Sequence, residues 1–492
     1  MRKHTWIALL ASLMMVPLAV ACDDGDDEMD AGMEEEDAGG DMDDAGEDMD
    51  DAGEEETNTI ADIAAGDPQF SMLVAAADRA ELIPLLSGTD EFTVFAPTND
   101  AFEDSGITMA MIESMPTAQL RGILTYHALE GVVMSGDIEA GPATTAAMLS
   151  IILGTEGGVT INGGNSVTGG ANVTMADIEA DNGVIHVIDR VLLPPTVADL
   201  TRYAGLTELA AAVASDTDIA DALSDPEAEL TVFAPTNDAF PDDTTGLDVP
   251  QILLYHVLGE RVPSTAIPAM ADTLATMSYE DGGTTREYAL DVFFDTSDGV
   301  AVNGGSGTEA TNLGGDVVIA DVLATNGIVH VIDGVLLPLN IAEVAQVAGF
   351  DTLVSAVVAS DPIPASIAGS ETAVLDALSE DTLAPLTVFA PTNDAFDTAF
   401  PSGLPSDGGA ILGVLALHVI ASPLPVRAED LPGDTSTTVA PLAGSDLSFD
   451  TSATPPTVSV TGGGSTAGIT GTDVGANNGI VHVIDTVLTE AP

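Results

Sequence analysis

Of the seven histidines in this 492-residue chain, His4 lies beside the N-terminus and six fall in pairs: His127 with His186, His256 with His330, His418 with His482. Three residues after the second member of each pair comes an aspartate, Asp189, Asp333 or Asp485. Two imidazoles and a carboxylate that meet in a fold can hold a divalent metal, or form a general base with the group that orients it. The other reading is that each imidazole is buried and satisfied by a backbone carbonyl or a hydroxyl. The apolar flanks of His186, Ile185 and Val187, favour that second reading, and no metal site is assigned. Composition excludes much other chemistry. The single lysine is Lys3, the single cysteine Cys22 and the single tryptophan Trp6. Beyond residue 22 there is therefore no phosphate-loop or Schiff-base lysine, no thiol nucleophile, no thiolate metal site and no disulfide framework. Neither a Gly-x-Ser-x-Gly elbow nor a His-Glu-x-x-His helix occurs, and no motif asks for a cofactor.

The histidines sit in or between blocks that repeat. Thr93-Val-Phe-Ala-Pro-Thr-Asn-Asp-Ala-Phe102 recurs unchanged at 231–240 and 387–396, carrying Pro97, Asn99 and Asp100, Pro235, Asn237 and Asp238, and Pro391, Asn393 and Asp394. Asn182 to Asp189 returns at 326–333 and 478–485 with only Val/Ile exchanges. Between the blocks stand Tyr126-His127, Tyr255-His256 and Leu417-His418. The prolines are 138 and 156 residues apart, which is the size of a domain rather than of a solenoid unit.

Thr93 to Phe95 is β-prone, Pro97 ends the run, and Thr98, Asn99 and Asp100 are good caps for a helix starting near Ala101. Asn182-Gly183 is a turn signal, and the β-branched run after it predicts a strand to about Leu192. Alternation puts Val184, His186 and Ile188 on one face and Ile185 and Val187 on the other. Both faces are largely apolar, so this strand is expected inside the sheet. Further strand and turn pairs end in Asn162-Gly163-Gly164, Asn303-Gly304-Gly305 and Thr461-Gly462-Gly463. Helical apolar spacing opens the repeats, as in Ile60, Ile63, Phe70, Leu73 and Val74, or Leu200, Leu206, Leu209 and Ala210. Each unit is thus read as helices followed by a mostly antiparallel sheet, an α+β domain.

The two blocks and the central Tyr-His together resemble the conserved blocks of the fasciclin domain, in three copies covering about residues 57–492. The resemblance implies three tandem domains, each a wedge-shaped β-sandwich with several helices, at 57–195, 196–339 and 340–492. It also implies a place among secreted or surface-anchored adhesion proteins, with the motif residues serving structure. The copies differ: Leu417 replaces the central tyrosine, and the interval from the block's last Phe to the central His is 25, 16 and 22 residues. The second copy is therefore expected to lack a helix, and the third to carry a surface insertion near Asp361–Thr372. The function expected is non-enzymatic adhesion or matrix interaction through multivalent domains, with extracellular polysaccharide or an envelope or surface protein as partner. A periplasmic small-molecule or metal-binding module using the paired histidines is the alternative.

The N-terminal residues bear on location. Residues 1–22 read as an export signal, with a basic start, an apolar run from Trp6 to Val16, and Leu18-Ala-Val-Ala-Cys22 resembling a bacterial lipobox. Cys22 is the lipidation candidate, which predicts an exported protein held in the cell envelope, at the outer membrane or cell surface, or released. Residues 23–56 hold 20 acidic and no basic residues, a composition that stays extended and solvated and reads as a disordered tether. No calcium-loop spacing is present in it.

Charge sets the partners that are excluded. The net charge is −71 although hydrophobic residues make up 45% and mean hydropathy is +0.29, so the chain can fill several cores yet repels phosphate backbones and anionic headgroups. Nucleic acid is not a partner on this reading, and any membrane contact is through the lipid. Residues 57–492 alone carry 60 acids against seven arginines. Their mutual repulsion is screened over about 10 Å at 0.1 M salt, so the melting temperature is expected to rise with NaCl, and a flat or falling curve would show the charges already paired.

Overall fold

A computed structural model describes residues 58–491 apart from 165–168, 242–244, 282, 306–313, 360–384, 423 and 432–437. The export signal, Cys22, the acidic segment and the insertion near Asp361–Thr372 lie outside the described residues. No helix among those described is long and apolar enough to cross a membrane.

Each repeat is α+β. The first opens with helices Ile60–Gly66 and Ser71–Arg79, split by Asp67-Pro68, where the proline starts a short 3-10 turn instead of continuing the first helix. The second opens with Val197–Tyr203, Thr207–Ala214 and Thr217–Ser224, and the third with Ile341–Val347 and Asp351–Ala359. Thr59 with Asp62, Thr196 with Asp199, and Asn340 with Glu343 close a capping box at each opening helix.

A seven-stranded sheet follows, in the same strand order in all three repeats. In the first it runs Ala128–Glu130, Phe92–Pro97, Gly183–Ile188, Ala171–Ala180, Thr160–Ile161, Ser150–Gly154, Gly141–Thr144. Five of its six pairings are antiparallel; the exception joins the two sequence blocks, Phe92–Pro97 lying parallel to Gly183–Ile188. That pairing makes Gly183 obligatory, since a Cβ there would lie 1.9 Å from the carbonyl oxygen of Phe92. Gly183–Ile188 is buried at every position and lies between two strands, as its two apolar faces predict.

The sheet folds over as a sandwich. Phe95 and Ile188 from one half meet Ile151, Leu153 and Ile161 from the other, with Tyr126 and Leu192 completing the core. The helices cover the opposite face, where Ile60 and Phe70 pack on Phe92, Val94, Ile185 and Val187.

The turn after the first block forms as expected, with Thr98 capping helix Asn99–Asp104 and Thr392 capping Asn393–Ala399. In the second repeat Thr236 makes no such bond and only a 3-10 turn, Asn237–Ala239, follows. The first repeat continues with Met109–Ser114 and Thr117–Tyr126; the second has only Val249–Tyr255 between the described residues there, and the third only Gly408–Ala416. The expected loss of a helix in the second repeat therefore extends to the third, whose longer interval is spent on the irregular stretch 400–407.

The joins carry little free chain. The carbonyl of Pro195 accepts from the Thr325 backbone N–H and hydroxyl, both at 2.9 Å, and that of Leu339 accepts from the Asn477 N–H at 2.8 Å.

Candidate functional site

The helix that precedes each central histidine ends on it, or one residue before it in the third repeat, so the ring turns back onto the last turn. Nδ1 of His127 lies 2.8 Å from the Ile123 carbonyl, and Nε2 lies 2.9 Å from the backbone nitrogen of Leu192. A backbone N–H can only donate, so Nε2 accepts and Nδ1 carries the proton. His256 repeats this with Ile252 at 2.7 Å and Leu336 at 2.9 Å, and His418 with Val414 at 2.8 Å and Leu488 at 2.9 Å. Each ring thereby ties the helix layer to the segment leaving the last strand. Burial pushes all three down to about 4, against the pull of the helix carbonyl.

The second histidines have the opposite tautomer. Nε2 of His186, His330 and His482 donates to the carbonyls of Val133, Val262 and Val426 at 2.9, 2.9 and 2.8 Å. Nδ1 in each accepts at 3.2 Å from the backbone of Asp177, Asp321 or Asp473. Those three aspartates have φ of 60°, 57° and 60° and sit where the strand register shifts. The carboxylate of Asp177 accepts from the Ser135 N–H and hydroxyl, which hold it below the usual carboxylate range. The Asp321 carboxylate accepts from the Ser264 N–H and hydroxyl.

Both ring nitrogens of all six histidines are thus engaged by the backbone, and the two rings of a repeat share no partner. Asp189, Asp333 and Asp485 do not reach them. Asp189 accepts from the Asn172 backbone and side chain at 2.7 and 2.8 Å, Asp333 from the Asp316 N–H and Asp485 from the Gly468 N–H, each at 2.7 Å. No group of three His, Cys, Asp or Glu side chains that could hold a metal ion occurs among the described residues. The geometry gives the paired-histidine binding module no ligand set.

The remaining motif residues serve the turn after the first block, where Asp100, Asp238 and Asp394 are exposed. Asn99, Asn237 and Asn393 accept from the N–H groups of Met72, Glu208 and Thr352 and donate to the carbonyls of Pro68, Gly205 and Gly349, clasping the start of the second opening helix of each repeat. Asp100 and Asp394 lie in the first turn of their helices and Asp238 in the 3-10 turn. Pro97, Pro235 and Pro391 end the strands that pair with Ile188, Ile332 and Ile484.

Tyr126 donates to the Ser150 carbonyl at 2.9 Å and accepts from Asn162 at 3.1 Å; Tyr255 donates to the backbone carbonyl of Asp291 at 2.6 Å and accepts from Asn303 at 3.1 Å. Burial raises both phenols. The third repeat has Leu417 for the tyrosine and Thr461 for the asparagine, so the pair is replaced together. Tyr126→Phe is expected to cost about 1–2 kcal/mol, because the Asn162 amide is left buried without its acceptor. Adding Asn162→Thr should cost less than the sum of the separate changes; additivity in a urea-unfolding double-mutant cycle would show the two act independently.

As turn residues Asn162, Asn303 and Asn182 are visible in the sequence; their buried hydrogen bonds, and the bulge aspartates, are not. Asn182 accepts from the Ile60 N–H at 2.9 Å and donates to Leu86 and Gly88, and Asn326 does the same with Val197, Leu223 and Asp225. The threefold recurrence of Asn182, Asn326 and Asn478 was the available signal.

With this geometry, the chain belongs to the fasciclin family: the Fasciclin domain model matches residues 68–194, 204–338 and 365–490. The Synechocystis protein sll1483 is 39% identical over 139 residues, 28% of this chain and 74% of that protein. Human periostin is 32% identical over 216 residues, 42% of this chain but 24% of periostin, and the pig transforming growth factor-beta-induced protein ig-h3 is 28% identical over 274 residues, 53% of this chain and 37% of that protein. The chain thus spans well under half of these two animal relatives. A solved FAS1 domain pair from the insect cell adhesion molecule Fasciclin I aligns over 58% of this chain at 18% identity and a TM-score of 0.33.

Proposed function

We propose that the protein is a non-enzymatic adhesion or matrix-interaction protein of a cell envelope, acting through three domains that bind one multivalent surface. The observation that carries this reading is the use made of the repeated polar residues. Histidines, asparagines and aspartates that could have formed a reactive centre are spent on backbone hydrogen bonds inside each domain. Function then falls to the exposed surface, where single contacts are weak and repetition compensates. The family's presence in proteins such as periostin and the fasciclin-like arabinogalactan protein of Cercospora beticola accords with this role.

The partner class is an extracellular polysaccharide or an envelope or surface protein. The test is retention of the purified chain on arrays of immobilised glycans and envelope proteins: binding to one class is expected, and retention by none would overturn the reading. We propose Cys22 as the lipid anchor. Cys22→Ser is expected to move the protein from the detergent phase to the aqueous phase or to block its maturation, and a native N-terminus at Cys22 without acyl mass would refute lipidation.

A further inference from the structure

One contact is repeated from domain to domain, and at the second junction Tyr279, Tyr288 and Arg286 add bonds to Asn477, Ala476 and Asp430. Asn162 N–H donates to the Ile152 carbonyl at 2.7 Å and Asn303 N–H to the Phe293 carbonyl at 2.8 Å, which makes Ile152 and Phe293 counterparts and, two residues earlier, Ser150 and Asp291. Their neighbours Ile151 and Leu153, or Val292 and Phe294, point into their own domain. Alternation therefore sends Ile152 and Phe293 outward. Ile152 packs on the helix-side core of the second domain, and Phe293 is 8% exposed within that of the third. Beside each, an acceptor side chain latches the same backbone site of the next domain: Ser150 Oγ takes the Leu323 N–H at 2.9 Å, and Asp291 Oδ2 takes the Gly475 N–H at 2.6 Å.

The two ends of the series differ from its middle. In the third domain, Thr461 N–H donates to the Asp446 carbonyl at 2.8 Å, so Asp446 stands where Ile152 and Phe293 do and Gly444 where Ser150 and Asp291 do. Asp446 is an exposed carboxylate bonded to the Thr438 hydroxyl, and Gly444 has φ +99° with no room for a side chain against Leu417. This edge offers neither the acceptor nor the apolar side chain. The first domain has the receiving surface, and among the described residues no strand edge is docked on it. Ile178 and Ala180 are half-buried, whereas Val322 and Ala324, or Val474 and Ala476, are buried. Ile63 is likewise half-buried where Leu200 and Val344 are buried. Beneath the helices of this domain lies an almost wholly apolar cavity of about 50 Å³, bordered by Ile60, Ala64, Phe92 and Ile185.

We propose that this face of the first domain is a docking site for the strand edge of a different polypeptide, one that presents a Ser or Asp acceptor and, two residues on, an outward Ile or Phe. Continuity with the two docked interfaces in the chain sets that occupant. Asp446 and Gly444 keep a second copy's third domain from taking the place, since a charged carboxylate held by a single hydroxyl would be buried where the docked edges put an apolar side chain.

The test uses the whole chain as its own probe. Wild type is expected to sediment as a single chain across a concentration series. Asp446→Phe, which copies Phe293 at an exposed position, is expected to raise the mass with concentration to two chains and beyond, because a head-to-tail contact does not close. Ala180→Arg added to it should restore the single chain. Asp446→Ile, copying Ile152, is the second version should the first misfold. Three results overturn the proposal: folded Asp446→Phe and Asp446→Ile chains that stay single, association that Ala180→Arg leaves intact, or wild-type association that Ala180→Arg removes, which would make a second copy the occupant.

Discussion

Between pH 6.5 and 5 the protein is expected to lose about 2 kcal/mol of stability for each of His127, His256 and His418. These rings are buried and held near 4 in the folded chain, whereas a free histidine titrates near 6.5. A folded pKa below the unfolded one means that the unfolded chain takes up the proton first, so stability is full above about 6.5 and falls until about 4. Burial lowers His330 and His482 as well, with the same sign. Two other effects oppose the trend. Protonating surface carboxylates relieves the negative repulsion, but ordinary carboxylates titrate near 4, below this window. Asp291 is pushed up to about 8 by burial, with Asp272 adding to the rise and the Gly475 N–H pulling against it. A raised carboxyl contributes stability that is full below about 3.8 and lost as pH rises through 8, so Asp291 offsets one histidine between pH 6.5 and 5, and only in the second and third domains that it joins. The histidines prevail three to one. Urea midpoints at pH 7, 6 and 5 in constant high salt read the effect; midpoints that do not move would show the rings already charged or solvated.

The second large effect is avidity. The cores of the first domain draw only on its own residues, so residues 57–195 are expected to fold alone, with Ile152 exposed. On a surface dense in ligand, residues 57–492 should be retained about 10²–10⁴-fold more tightly than 57–195, while the two bind a monovalent soluble form of that ligand alike. The tied joins favour a gain, since docked domains spend less freedom on reaching a second site. Equal retention of one domain and three would remove multivalency from the account.

What the sequence disclosed was local. The Pro97 stop and the Thr98 cap depend on residues within a few positions, and the interior place of Gly183–Ile188 shows in its two apolar faces. The capping boxes at Thr59, Thr196 and Asn340 were equally local and went unread. The parallel pairing of the two blocks was not legible, because nothing in either block fixes its neighbour some 90 residues away. The histidine roles were half legible: burial followed from Ile185 and Val187, but the partners, Ile123 and Leu192 or Val133 and Asp177, come from other elements. The latches between domains were invisible for the same reason. Ser150 and Asp291 share no chemistry beyond an acceptor oxygen, and their equivalence appears only once the strands are paired.

The way each domain is pinned at its two ends has a mechanical consequence. The chain comes into the first domain at Asn58, whose carbonyl accepts from Asp181 at 3.0 Å, just ahead of strand Gly183–Ile188, and it leaves just beyond that strand. Pro195 with Thr325 and Leu339 with Asn477 repeat the arrangement. A pull between successive joins therefore runs along the last strand, which has a parallel neighbour on one side and an antiparallel neighbour on the other. Both ladders are loaded lengthwise, in shear, so their hydrogen bonds must yield together instead of opening one by one from an end. A chain strung between an anchored end and a held target would resist tension at the centre of each sheet, with the two repeated sequence blocks as the pair that bears it.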